Sequence, residues 1–381
     1  MIDIQFVPST LNPKAHHCTI SIVSKTCFSL VRWAPEENYP QRMEDATSSK
    51  KIDINRNGTY LVEIVTKNEE YIMPLTVCHF AKGKRFAGGT GTKEDPYLIE
   101  NCAQFNCIRM DLKAHYRLIA DLDFEKEMEN LCWIPVGRFR VKEPKVLDDI
   151  PLEDQNLGYQ FDYGFQGTLD GNGHTVSGLC CSHPSKKELG IFGSCGPDAH
   201  IFDLRINRCI FMDRGAAMCV GSIAGRAEGT KIERCTVLNT QVYASTVGGG
   251  VIGEANIGTY INSCCFQGKI AGTGIYGPYS HLGGMAGSIN GVGVAPKVLI
   301  KDCFVQATID NCMWGGGITT GLDGLIKKCR FDGVVCARAY AGAIAVPTGS
   351  CIIEECEEGR FETAEKVPKI SGEDGGTVLL S

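Results

Sequence analysis

The sequence predicts an all-β chain, a small β-sandwich followed by a right-handed parallel β-helix of six or more coils. Three observations carry this. A Gly-rich apolar box recurs six times, reading LGIFG (189–193), VGSIAG (220–225), GGGVIG (248–253), LGGMAG (282–287), GGGITT (315–320) and AGAIAV (341–346). An Ile-x-x-Cys spacing recurs six times, at Ile206/Cys209, Ile232/Cys235, Ile261/Cys264, Ile300/Cys303, Ile326/Cys329 and Ile353/Cys356. The segments between them are short, β-branched and punctuated by Gly, with no useful run of 3.6-residue period. Successive Ile residues lie 26, 29, 39, 26 and 27 apart, a step that fits one coil of a stacked solenoid.

Each part of the unit has a physical reason. Ile and Cys three apart cannot both face inward along a straight strand of period two. The chain must bend between them, with the intervening pair at an outward corner, so that Cys residues of successive coils stack as an internal ladder. Stacked, parallel Cβ vectors do not suit a disulfide, and most of these thiols are expected to be unbridged. The corner pairs read Asn207-Arg208, Glu233-Arg234, Asn262-Ser263, Lys301-Asp302, Lys327-Lys328 and Glu354-Glu355. They alternate in sign and polarity, as a solvated edge does, and concentrate no carboxylates.

Composition narrows the function. The chain has 381 residues, 45 Gly and 20 Cys; 43% of residues are hydrophobic and 22% charged, enough to bury a core. A net charge of −6 argues against a broad nucleic-acid-binding surface. No run approaches the ~18 apolar residues of a membrane span. The opening MIDIQFVPSTLNPK lacks the basic and apolar regions of a Sec signal. No C-x-x-C occurs, so a zinc ribbon or thioredoxin-type site is unsupported, and neither metal nor cofactor is expected. The thiols read as small buried apolar groups.

The segment FQGTLDGNGHTVSGL (165–179), followed by LGIFG and the box/Ile-x-x-Cys units, resembles the GLUG-motif proteins. GGTGTKEDPYLIENCAQFNCI (88–108), YRLIADLDF (116–124) and WIPVG (133–137) look like the opening cap of the same family. The resemblance implies a repeat-bearing β-helical region of a bacterial or phage surface protein, of a kind also found beside IgA-type metallopeptidases. No HExxH is present, so that protease association is not carried over. The charged insertion 138–160 and the loss of the closing Gly in the last boxes depart from the pattern. Residues 1–84 read as short strands, and NGTYLVEIVTKNEEYIMPLTV looks like the closing hairpin of a bacterial Ig-like domain. The expected organisation is an Ig-like sandwich over 1–84 and a β-helix over 88–360, with its cap at 88–183 and repeat coils at 189–358. A C-terminal tail spans 361–381.

Parallel β-helices often carry polysaccharide-degrading enzymes, which need paired carboxylates. The candidates are Asp121, Asp123, Asp162 and Asp170. Asp121-Leu-Asp123 places two carboxylates on one strand face, but Asp170 sits in LDGNGH with Asn172 and His174, where Asx and Gly shape a tight corner. Structural turns are the better reading. A binding site is easier to place. The 39-residue step carries its surplus in two loops, 271–281 and 289–297, and solenoid insertions often project from a binding face. Tyr276, Tyr279, His281 and the following Trp314 offer aromatic surfaces for sugar rings, and insertion 138–160 offers a second contact surface.

These readings point to a non-enzymatic virion or cell-surface structural or adhesion protein of phage decoration, tail or fibre type. It would be exposed on a virion or outside the cell. Its expected partners are other virion or surface proteins, a host glycan and further copies of itself as a trimer. The alternative is a polysaccharide lyase or glycoside hydrolase using Asp121, Asp123 or Asp170.

Overall fold

The computed structural model describes 86–127, 133–137 and 164–363, apart from short breaks at 183–186, 216, 275–279, 292–296 and 348–350. It also describes the strands within 4–77 and those at 140–142, 160–162, 369–370 and 377–378. The larger part is a parallel β-solenoid of about six turns.

Each turn crosses three walls. One coil shows the path: Lys231–Glu233 lies in the first wall, Thr236–Ala244 and Val247–Gly249 in the broad wall, and Ile252–Asn256 in the box wall. Tyr260–Asn262 then returns to the first wall one level up. The first wall has ten strands and the box wall six. In the broad wall, the 13-residue strands Phe304–Gly316 and Arg330–Gly342 join two halves that are separate strands in the lower coils.

Inward residues stack in register. The first wall aligns Tyr116, Leu169, Ile201, Ile232, Ile261, Ile300, Ile326 and Ile353, all buried. The broad wall aligns Val176, Ile206, Val237, Phe266, Val305 and Phe331, also buried. Burying one such side chain contributes roughly 1.5–3 kcal/mol, so each added coil extends the core by several such terms.

The corner between these walls is an arch of four residues: inward, outward, left-handed, inward. Asp203, Arg234, Ser263, Asp302, Lys328 and Glu355 occupy its left-handed position, with φ between 51° and 53°. Six non-Gly residues accept that conformation because the following residue is locked into the core. Arg234 makes a two-pronged pair with Asp203 one coil below, at 2.7 and 2.9 Å, and Lys327 reaches Glu354 at 2.8 Å. The edge of alternating sign is thus joined across coils by ion pairs at its lower and upper steps.

The cysteine column differs from expectation in its first member. Backbone hydrogen bonds connect Leu204, Cys235, Cys264, Cys303 and Cys329 with the next level at Thr236, Cys265, Phe304, Arg330 and Glu357. Ile206 instead aligns with Val176 and Val237, and Cys209 stands between Leu179 and Thr240 at the next corner. That corner uses the same arch, with Gly178, Arg208 and Asn239 left-handed, so Ile-x-x-Cys marks the arch rather than one wall. The ladder cysteines Cys235, Cys264, Cys303, Cys329 and Cys356, and Cys209 at the next corner, are unbridged thiols. Each ladder thiol sits against the carbonyl of the coil below, as Cys264 Sγ does with Ile232 O at 3.6 Å.

The boxes make the sharpest turn. A Cβ on Gly249 would lie 1.9 Å from Ile252 O and 2.5 Å from Gly287 N. The broad and box walls approach too closely there for any side chain.

The lower end is closed by the helix Cys102–Asn106, whose N-cap Asn101 accepts from Gln104 N at 2.9 Å. Phe105, Phe124 and Trp133 pack beneath the first coils. The charged insertion contributes an antiparallel pair, Arg140–Lys142 with Gln160–Asp162. At the other end, Glu357–Thr363 and Lys369–Ile370 pair with Arg330–Gly342, and Thr377–Val378 pairs antiparallel with Cys351–Ile352. The segment expected as an extended tail therefore adds strands to the last coils.

The strands before residue 78 form two antiparallel sheets, one of three strands and one of four. Gly58–Thr66 and Glu70–Val77 form the hairpin that the sequence indicates.

Candidate ligand-binding face

The long insertion rises from the broad wall, and its base is built from ordinary solenoid parts. Thr273 N donates to Ala244 O at 3.0 Å, and His281 N donates to Thr246 O at 2.7 Å. The next coil fastens both ends. Asn311 Nδ2 donates to Gly272 O at 2.8 Å, while Met313 N and Trp314 N both donate to Ser280 O at 3.1 Å. Asn311 is left-handed, with φ 53°, which turns its amide onto the loop.

Beside this base runs a column of the residues that precede each box. Glu188, Cys219, Val247, His281, Trp314 and Tyr340 share one register position on successive coils. The upper three are aromatic and only partly buried. The His281 and Trp314 rings stack at 4.4 Å with 23° between planes. Each ring therefore covers one face of the other.

Thr320 fixes the His281 ring. Its Oγ1 donates to Gly287 O at 2.6 Å, and so accepts from His281 Nδ1 at 3.1 Å. This network assigns the imidazole proton to Nδ1 and leaves Nε2 as an acceptor. Burial holds the His281 pKa below its ordinary value, which favours the neutral ring. Thr320 stands where earlier boxes carry their closing Gly, so the missing Gly supplies the hydroxyl that orients His281.

Arg338, two residues before Tyr340, is exposed and donates to Asn311 Oδ1 at 3.0 Å. The face thus combines three aromatic rings with an amide and a guanidinium. These parts suit contact with the apolar face and hydroxyls of a sugar, or with a protein rim. Of the residues expected at this site, the structure brings His281 and Trp314 together, and Tyr276 and Tyr279 lie outside the described residues. Tyr340, Arg338, Asn311 and Thr320 were missed. Tyr340 was legible, since it precedes AGAIAV as Trp314 precedes GGGITT.

The candidate carboxylates hold the lower corner together. Asp170 accepts from Arg117 Nε at 2.7 Å and from Asn172 N at 2.8 Å. Asp121 accepts from Thr175 N at 2.8 Å and faces His174 Nδ1 at 3.3 Å. Asp123 faces Lys126 Nζ at 3.4 Å. Asp162 lies in the insertion's strand pair, where side chains are outside the described residues. Among the described residues, no three His, Cys, Asp or Glu side chains gather as a metal site, and no helix is long and apolar enough to cross a membrane.

No protein-family model matches the chain. Its fold is similar to that of an IgA1-protease-like protein from Bacteroides ovatus, with a TM-score of 0.54 and 18% identity over 78% of this chain and 83% of that one. A Gly-rich membrane protein of Evansella cellulosilytica is 28% identical over 148 residues, which are 38% of this chain and 15% of that protein. Halomucin of Haloquadratum walsbyi is 29% identical over 170 residues, 44% of this chain and 2% of halomucin. The chain therefore matches a small part of each of these much longer relatives, and the likeness to the solved structure is one of fold.

Proposed function

We propose that this protein is a non-enzymatic binding scaffold displayed on a virion or cell surface, and that the Trp314 face contacts a glycan or partner protein. The carrying observation is the in-register column His281, Trp314 and Tyr340 at the foot of the long insertion. A rigid solenoid is a suitable support, because coil spacing fixes the distance between successive contact groups. One relative is named a membrane protein and the other halomucin, which supports a surface setting. The two N-terminal antiparallel sheets support an Ig-like module over 1–84 in the same proposal. The engagement of Asp121 and Asp170 in corner contacts supports binding over hydrolysis.

The test is a glycan array followed by calorimetry on the best ligand. Trp314→Ala and Tyr340→Ala are expected to weaken binding at least tenfold, with no release of reducing ends or unsaturated uronates. Unchanged affinity in both variants, or glycan turnover lost in Asp170→Asn, overturns the proposal.

A further inference from the structure

The cysteine ladder is a column of sulfur with a fixed rise. Cys235, Cys264, Cys303, Cys329 and Cys356 stand on five successive coils. Cys265 N, Phe304 N, Arg330 N and Glu357 N donate to the carbonyls of the first four. Those four are at most 2% exposed. The side chains meet along the column: Cys264 interacts with Cys235 and Cys303, and Cys329 with Cys303 and Cys356. Each sulfur also faces two carbonyl oxygens. Cys303 Sγ lies 3.1 Å from Lys301 O and 3.8 Å from Ile261 O. Cys329 Sγ lies 3.4 Å from Lys327 O and 3.6 Å from Ile300 O. The same two contacts recur at Cys235, Cys264 and Cys356.

Geometry and charge together select a ligand. Stacked strands lie about 4.8 Å apart, and a thiolate–metal bond is about 2.3 Å long. An ion midway between two stacked sulfurs therefore makes two collinear bonds spanning about twice that length, close to one coil. This suits a cation that takes two ligands in line. A structural zinc site needs four ligands, and among the described residues no three His, Cys, Asp or Glu side chains gather as a metal site. Calcium and magnesium require shells of oxygen, whereas thiolates select soft ions such as Cu(I). The dry core disfavours net charge, and a monovalent ion meets that condition by displacing one thiol proton. One S–H bond breaks, one S–metal bond forms, the proton passes to solvent, and no oxidation state changes. The pair stays neutral, and the carbonyl oxygens that accepted from the thiols then face a cation. Because successive ligands stand on successive coils, no short Cys spacing along the chain announces them.

We propose that the ladder is a binding site for soft monovalent metal ions, Cu(I) or Ag(I), each held in line between the thiols of two successive coils. The five thiols hold two such ions without sharing a sulfur. The site stands on the ladder alone and is independent of the Trp314 face.

The test uses the full chain and Ag(I) in chloride-free buffer under argon. Accessible thiols of the folded protein are first blocked with N-ethylmaleimide, and the chain is then unfolded in urea and refolded with Ag(I). Native mass spectrometry is expected to count one or two ions retained per chain, with a raised urea midpoint. Cys264→Ala/Cys329→Ala leaves no two ladder thiols on adjacent coils and is expected to weaken retention at least tenfold. Cys209→Ala/Cys312→Ala removes two buried thiols outside the ladder and is expected to retain the ions. If the first variant fails to fold, Cys264→Ser/Cys329→Ser keeps a hydroxyl toward the same carbonyls, supplies a hard oxygen in place of sulfur, and is expected to show the same loss. The proposal is overturned if no ion is retained, if the two double variants behave alike, or if Zn(II) is retained with the same dependence on the ladder. Glycan binding at Trp314 is a separate readout, so either proposal can fail alone.

Discussion

His281 and Trp314 occupy one register position on adjacent coils, and their rings stack 4.4 Å apart. The pair ties the end of the long insertion to the coil above, and Thr320 orients it from inside. Trp314→Ala is expected to cost about 1 kcal/mol beyond the lost apolar area, measured by urea unfolding. Trp314→Phe should recover most of the stability. If the alanine variant is as stable as the parent, the stack does not fasten the loop.

The same histidine makes stability sensitive to acid. Its pKa in the folded protein lies below the ordinary 6.5 because burial disfavours the charged ring. Above about pH 6.5 the ring is neutral in both states and its contribution is complete. As pH falls below that, the unfolded chain takes up the proton first and stability declines. His281→Gln should flatten that part of the profile, and an unchanged slope between pH 7 and 5 would refute it.

Alkali should act through the buried thiols. Burial pushes Cys209, Cys312 and Cys351 up to about 12, from an ordinary 9.0. Below pH 9 these thiols are protonated in both states. Between about 9 and 12 the unfolded chain loses its protons first, so each thiol costs about 1.4 kcal/mol per pH unit. The urea midpoint, measured in reductant, should fall between pH 8.5 and 10.5. Alanine at all three positions should reduce that fall; an equal fall in the triple variant would refute the assignment.

The arch and the box should respond oppositely to small changes. Ser263→Gly relieves a left-handed residue, φ 53°, and is expected to stabilise by up to about 1 kcal/mol. Gly249→Ala puts a methyl group 1.9 Å from Ile252 O and is expected to cost about 3 kcal/mol or more. Thermal melts decide both. A tolerated alanine at 249 would mean that the walls can separate at the turn.

Much of this was legible because a solenoid repeats its chemistry. The boxes marked a recurring Gly-rich element, and a bend followed from Ile and Cys both facing inward three residues apart; that one residue of the bend is left-handed came only from the structure. Ile206/Cys209 misled because two corners share one local arch, and a four-residue pattern carries no record of which wall precedes it. Only pairing with Val176 and Val237 separates them. Thr320 was hidden for a different reason. Its role depends on Gly287 and His281, which lie 33 and 39 residues away in sequence and one coil away in space. The helix Cys102–Asn106 was also hidden, being too short to show a period.

The way the insertion is fastened separates its length from the solenoid's geometry. Gly272 and Ser280 are each held through their own main-chain carbonyl, which accepts from the coil above, so neither anchor depends on which side chains the loop carries between them. The site behaves as a socket. Loops of other lengths and compositions exchanged between these two anchors are expected to leave the coil register undisturbed, which makes the insertion a natural position for grafting a new recognition loop onto this frame.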